Sequence, residues 1–166
     1  MRIFGIALAL VLLSGCGLRP LYGGGSGSQV SQTLRSVQVA PIGGGQSGWL
    51  MRNKLVERLG ENGTGQAAYR LEVTLDDNIT AFGIRSRQAA TEERRSLRAR
   101  YQLVDASNGQ VVLDATSGSD TSIDIVSSEY ATVAAEQTAL EELTNIVADQ
   151  IVARLALYAS RTATAK

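Results

Sequence analysis

Residues 97–115 read LRARYQLVDASNGQVVLDA, and this stretch predicts two neighbouring antiparallel strands. From Leu97 to Leu103 apolar and polar residues alternate, which is typical of a strand with one buried face. Asn108-Gly109 is a strong hairpin signal, and the alternation resumes from Val111 to Ala115. The chain is therefore expected to contain an antiparallel sheet with one apolar and one polar face.

Working outward from this hairpin, the periodicity of apolar residues predicts four further elements. They are a first strand over 34–40, a helix over 46–61, a second strand over 69–76 and a long helix over 128–160. The polar, irregular segments 78–90 and 117–128 are interpreted as connections. The order β-α-β-β-β-α predicts an α+β fold in which two helices pack on one face of a four-stranded sheet.

The first sixteen residues have the pattern of a bacterial secretory signal. Met1-Arg2 is a short positive start, and the eleven apolar residues 3–13 are too few for the roughly 20 that span a bilayer. Leu13-Ser14-Gly15-Cys16 resembles the lipobox of bacterial lipoproteins, which implies diacylglycerol on the sulfur of Cys16 and an N-acyl chain after cleavage. In well-studied lipoproteins an Asp at the next position favours retention in the inner membrane, so by the same resemblance Gly17 points to the outer membrane. The alternatives are a plain signal peptide that leaves a free thiol, or a cytoplasmic protein with an apolar first helix.

The resulting division of the chain has four parts. Residues 1–15 are a signal peptide that is removed, and residues 16–32 are a lipidated start and flexible tether with the Gly/Ser run 23–28. Residues 33–161 form a single domain, and residues 162–166 form a disordered tail.

Composition excludes most catalytic chemistry. The chain has no His and a single Cys, which removes His-based triads, Cys nucleophiles and His/Cys metal sites. A hydrolase would need a carboxylate pair, but neighbours such as Asp76-Asp77 and Glu92-Glu93 face opposite ways on a strand or are solvated in a loop. After cleavage fifteen basic residues stand against sixteen acidic ones, so nucleic acid is not an expected partner. The sequence therefore predicts a protein that is not an enzyme, with no cofactor besides the lipid on Cys16 and with no metal.

Two segments resemble LptE, the lipopolysaccharide-assembly lipoprotein family. Cys16-Gly17-Leu18-Arg19-Pro20-Leu21-Tyr22 is similar to the family's opening, with Leu18 in place of the usual Phe, and residues 150–155 are similar to the end of its last helix. The resemblance implies a lipid-anchored protein at the periplasmic face of the outer membrane. It implies a partner, a β-barrel of the LptD type that the protein plugs and helps assemble, and a role in lipopolysaccharide insertion. The alternative is a free-standing lipoprotein that binds peptidoglycan or carries lipid.

Charge is divided unevenly between two blocks. Residues 85–100 contain six Arg against two Glu, whereas residues 101–152 contain nine acids and no base. One interpretation is that the blocks pair within the fold, for example Arg100 with Asp114 across neighbouring strands. A second is that the loop after the second strand presents an anion-binding cluster for lipopolysaccharide phosphates and carboxylates. A third is that this loop touches the barrel lumen. The residues of the predicted cluster are Arg85, Arg87, Arg94 and Arg95.

Trp49, the one tryptophan, lies at the start of the first predicted helix. It is interpreted as a core or edge residue, with an exposed interface residue as the alternative.

Overall fold

The computed structural model describes residues 29–60, 67–85, 89–125 and 128–164, and for 83–85, 89–91 and 164 the backbone alone. Within these ranges the chain forms three helices and a four-stranded mixed sheet. The elements are α1 Gln29–Arg35, β1 Val37–Val39, α2 Gln46–Leu59, β2 Tyr69–Arg85, β3 Ala89–Asp105, β4 Val111–Asp124 and α3 Glu129–Thr164. The α+β prediction is confirmed.

The strands follow one another in the order β1-β2-β3-β4. β1 pairs parallel with β2 over three residues, Val37 lying opposite Tyr69, and the other pairs are antiparallel. The predicted hairpin joins β3 to β4, and its turn closes where the Gly109 amide donates to the Asp105 carbonyl at 2.8 Å. Gly109 has φ 72°, a conformation that glycine adopts without the steric cost of a side chain.

Both long helices pack on one face of the sheet, as expected. Tyr101 and its apolar neighbours on β3 meet the buried stripes of α2 and α3. These stripes repeat at helical spacing, which is why the two helices form from amphipathic segments. They consist of Met51, Leu55 and Leu59 on α2 and of Leu143, Val147, Ile151 and Leu155 on α3.

The two helices run parallel to each other. The Gln46 side chain donates to Gln137 at one end of α2, and Arg58 pairs with Asp149 at the other. The crossover β1-α2-β2 thus returns the chain to the sheet beside its own starting strand. Among the described residues, no helix has the length and apolar character needed to cross a membrane.

The strands are longer than predicted. Residues 78–90 were expected to be irregular, but β2 continues to Arg85 and β3 begins at Ala89, and the segment 117–128 is strand as far as Asp124. These segments form strands although they are polar, and the physical reasons are two. One side of each strand faces solvent, and Thr, Ile and Phe at residues 79–82 favour extended backbone.

Both ends of the domain also differ from the prediction. The tether was expected to reach residue 32 and a strand to cover 34–40, but residues 29–35 form α1 and the strand is limited to Val37–Val39. Val30 and Leu34, one helical turn apart, pack on the core and hold α1 in place. At the other end α3 continues to Thr164, past the predicted start of the tail at residue 162. The signal peptide, Cys16 and the tether up to residue 28 lie outside the described residues, as does Arg87.

Candidate functional site

The helix-free side of strands β2–β4 is a continuous hydrophilic surface, here called the polar sheet face. Strand alternation places every second side chain on it, and the register aligns these side chains in cross-strand rows. Its basic side chains lie mostly on β3, with acidic ones on β2 and β4 beside them, and Glu92 on β3 lies opposite Asp124. It consists of Arg70, Glu72, Thr74, Asp76, Asn78, Thr80, Phe82, Glu92, Arg94, Ser96, Arg98, Arg100, Gln102, Asp114, Thr116, Gly118, Asp120, Ser122 and Asp124.

Cross-strand ion pairs occupy the middle of the polar sheet face. The Arg100 guanidinium lies 2.9 Å from an Asp114 oxygen, which also accepts from the Gln102 amide at 2.8 Å. The predicted pairing of Arg100 with Asp114 is therefore confirmed. Both hydrogen bonds favour the ionised carboxylate, and they lower the pKa of Asp114, first through Arg100 and then through Gln102.

A second pair extends this arrangement by one row. Arg98 binds both carboxylate oxygens of Asp120, at 2.9 and 2.8 Å, and this contact raises the pKa of Arg98. The Arg98 side chain crosses directly over Gly118, where an added Cβ would collide with it and come within 2.9 Å of the Leu97 carbonyl oxygen. Glycine at 118 is thus what allows the guanidinium to lie flat across the sheet.

Farther along the hairpin, Arg94 differs from these paired arginines. Its guanidinium carbon lies 5.1 Å from the centre of the Phe82 ring, a cation–π contact. The side chain is exposed, and within the described part of the chain it forms no ion pair. Arg94 therefore presents on the polar sheet face a guanidinium that an aromatic ring rather than a carboxylate holds, one row from Glu92 and Asp124.

Arg95 lies on the opposite side of β3. Its Nε and Nη2 donate to the two oxygens of Asp77 at 2.9 and 2.7 Å, and its Nη1 donates to the Glu136 carbonyl in α3 at 2.8 Å. The side chains of Arg95 and Asp77 are only 12% and 18% exposed. Arg95 therefore joins the hairpin to α3 and is not available to a ligand.

The four arginines of the predicted cluster do not share one loop. Arg94 is exposed and Arg95 is partly buried on the other face, because neighbours on a strand point to opposite sides. Arg85 is the last residue of β2, and Arg87 lies outside the described residues. Their binding of lipopolysaccharide stays a prediction, and the geometry favours Arg94 over Arg95. The missed partner, Phe82, would have been found by extending the strand alternation from Leu75 past residue 78.

The two acidic pairs also diverge, as adjacent strand residues must. Asp76 faces solvent while Asp77 binds Arg95, and Glu92 and Glu93 likewise lie on opposite faces. Glu93 Oε2 is buried without a hydrogen-bond partner among the described residues. No group of three or more metal-binding side chains occurs in the described ranges. Neither acidic pair has the two carboxylates side by side that a hydrolase of this type would require.

Comparison with known proteins adds independent findings. The lipopolysaccharide-assembly family model LptE matches residues 34–155 of the chain. A crystal structure of a protein assigned as a lipoprotein from Caulobacter crescentus CB15 has a TM-score of 0.66 and 26% identity, covering 81% of this chain and 98% of that one. No curated protein matches the chain.

Two more distant structures share the fold alone. Rare lipoprotein B from Shewanella oneidensis has a TM-score of 0.59 and 12% identity, over 76% of this chain and 97% of that one. A minor lipoprotein from Acinetobacter baumannii has a TM-score of 0.58 and 13% identity, over 75% of this chain and 92% of that one.

Proposed function

The chain belongs to the LptE family of lipopolysaccharide-assembly proteins, and from this premise we propose that it plugs an outer-membrane β-barrel of the LptD type and helps that barrel assemble. In this proposal the protein is held at the periplasmic face of the outer membrane by lipid on Cys16 and contributes to lipopolysaccharide insertion into the outer leaflet. The family is a non-enzymatic lipoprotein family of the cell envelope.

The observation that carries the proposal, beside the family match over residues 34–155, is the polar sheet face. The interior of a large outer-membrane barrel is polar and filled with water or a plug. A surface that enters it must be hydrophilic and must not bring a large uncompensated charge. Ion pairs such as Arg98–Asp120 and Arg100–Asp114 meet both needs, because they cover the sheet with charge and cancel it locally.

The partner is tested by purifying the full lipidated chain from detergent-solubilised outer membrane. We expect a stoichiometric, heat-modifiable barrel protein to accompany it. If the chain is recovered alone under conditions that keep other outer-membrane complexes intact, the plug proposal is wrong and the free-standing lipoprotein is supported.

Lipopolysaccharide contact is proposed for the distal hairpin, where the exposed Arg94 guanidinium has an aromatic ring rather than a carboxylate as its partner. Phosphate and carboxylate groups match the planar guanidinium, and the Phe82 ring holds that guanidinium in place. Arg85 and Arg87 belong to the same end of the hairpin by sequence. Arg95 is left out, because its ion pair with Asp77 is structural.

The matching experiment compares charge reversals on one face. Arg94→Glu is expected to weaken lipopolysaccharide binding, and adding Arg85→Glu and Arg87→Glu to weaken it further. Arg70→Glu is the control, because Arg70 is exposed on the same face at the far end of β2 and already pairs with Glu72. Equal binding by the Arg94 and Arg70 variants at moderate salt would exclude the hairpin as the contact.

A further inference from the structure

A groove runs between α2 and α3 on the side of the molecule away from the polar sheet face. It has a cavity volume of about 340 Å³. Trp49 and Leu50 supply its apolar wall, and Glu141 and Asn145 lie across from them on α3. The Asn145 amide oxygen already accepts a hydrogen bond from Arg58 at 3.5 Å. The groove therefore combines an apolar wall with the Glu141 carboxylate, in a space large enough for one or two side chains of another molecule.

Trp49 lies outside the buried stripe of its helix. Met51 and Leu55 are fully buried, whereas Trp49 is 65% exposed, so the interpretation of Trp49 as a core residue is wrong. Within the described ranges its ring has no aromatic or cation partner. A single exposed apolar residue needs no explanation, but a tryptophan in a groove beside Leu50 forms a continuous apolar wall. Tryptophan is also the residue type most enriched among the residues that dominate binding energy in protein interfaces.

The electrostatic surroundings of the groove are acidic. Its one described base, Lys54, lies 3.5 Å from Glu57 and is compensated by it. Glu141 accepts a hydrogen bond from Gln137 at 3.0 Å and forms no ion pair with a described cation. The exposed side of α3 continues this charge with Glu142, and no base occurs between residues 128 and 153.

We propose that this groove binds a basic segment of a partner protein. An Arg or Lys of that segment would lie over the Trp49 ring and against the Glu141 carboxylate. One cation can make both contacts, because a cation–π contact with the ring leaves its other side free for an ion pair. Anionic membrane surfaces and lipopolysaccharide are disfavoured occupants, because the acids around the groove repel their phosphates. The groove and the polar sheet face lie on opposite sides of the sheet, so the two surfaces are available to two partners at once. The inference does not depend on the proposed function.

The single tryptophan makes the test direct, because all indole fluorescence of the chain comes from position 49. The full lipidated chain in non-ionic detergent is titrated into the millimolar range with acetyl-(Gly-Arg)3-amide and, separately, with acetyl-(Gly-Glu)3-amide. We expect a saturable change in emission with the basic peptide alone. Equal responses to both peptides, or no response to either, would overturn the proposal.

Two variants locate the site. Glu141→Lys is expected to weaken binding of the basic peptide about tenfold, the effect of reversing one exposed charge contact. Glu142→Lys makes the same change in net charge one residue along α3 and outside the groove lining, and we expect it to bind as the wild type does. Equal weakening by both variants would mean a diffuse electrostatic field and would contradict a defined site.

A last experiment distinguishes a protein partner from a lipid surface as the ligand of the groove. Vesicles of anionic phospholipid and purified lipopolysaccharide are added in place of the peptides, and neither is expected to change Trp49 emission. A saturable change with vesicles would assign the groove to the membrane and refute the protein partner. A variant that loses lipopolysaccharide binding through Arg94 but keeps the peptide response would support a separate site in the groove, and loss of the peptide response in that variant would contradict it.

Discussion

Replacing Arg95 with Met is expected to be among the most destabilising single changes in the domain. The guanidinium makes two charge-assisted hydrogen bonds to Asp77 and one to the Glu136 carbonyl, at 2.7 to 2.9 Å. Methionine keeps most of the apolar stem and removes all three donors. The Asp77 carboxylate, 18% exposed, is then left without its cation.

The magnitude follows from burial. Breaking one partner out of a fully buried ion pair costs about 3 to 5 kcal/mol, because the remaining charge stays desolvated. The Arg95–Asp77 pair keeps some contact with water, so we expect about 3 kcal/mol. For a domain of this size that corresponds to a fall in Tm of about 10 °C.

The assay is thermal and urea unfolding followed by circular dichroism, with Arg94→Met as the control. Arg94 is the exposed neighbour with the same side chain, and its replacement is expected to change the free energy of unfolding by about 0.5 kcal/mol or less. The double variant Arg95→Met/Asp77→Leu removes both charges and should recover most of the loss. If Arg95→Met unfolds like Arg94→Met, or if the double variant is no more stable than the single one, the argument from a desolvated carboxylate is refuted.

Three further predictions concern the polar sheet face and the anchor. Gly118→Ala should destabilise the fold by about 1 kcal/mol in urea unfolding, because its Cβ displaces Arg98 and approaches a strand carbonyl; a variant as stable as the wild type would contradict this. The lowered pKa of Asp114 means that its ion pair with Arg100 stabilises the fold above the ordinary carboxyl pKa of 3.8 and that this contribution is lost as pH falls through the folded-state pKa. Asp114→Asn should therefore narrow the difference in stability between pH 6 and acid, and an unchanged pH profile would count against the pair. Cys16→Ala should leave the circular dichroism and Tm unchanged while moving the protein from the membrane to the soluble fraction; loss of folding would mean that Cys16 is structural.

The parts of the fold that sequence periodicity predicts are those with one buried face. The β3–β4 hairpin and the long helix α3 place their apolar residues at spacings of 2 and 3.6. The turn and the helix lie where they were expected, although both strands extend well beyond the predicted residues. Their periodicity is strong because the same core selects every inward position. The pattern also identified the Arg100–Asp114 pair, since hairpin register places the two strands side by side.

The parts that were missed have a weak or interrupted apolar pattern. α1 has seven residues, of which Val30 and Leu34 reach the core, so its signal is two positions one turn apart. In the distal halves of β2 and β3, Asp77 and Arg95 take inward positions that an apolar pair would normally occupy. Sequence periodicity counts such residues as polar and predicts a loop, whereas the ion pair satisfies both charges and lets the strands continue.

The inward ion pair of Arg95 with Asp77 also explains why the two adjacent arginines of the candidate site have different roles. Adjacent arginines in a loop would be equivalent, but in a strand Arg95 is committed to the interior and Arg94 to the surface. The exposed pairs on the polar sheet face, such as Arg98–Asp120, add little stability, because solvent already satisfies their charges. Their effect is to keep a wide surface hydrophilic and close to neutral. Against that background Arg94 differs in having an aromatic ring rather than a carboxylate as its partner, which is why the proposed anion contact is assigned to the distal hairpin.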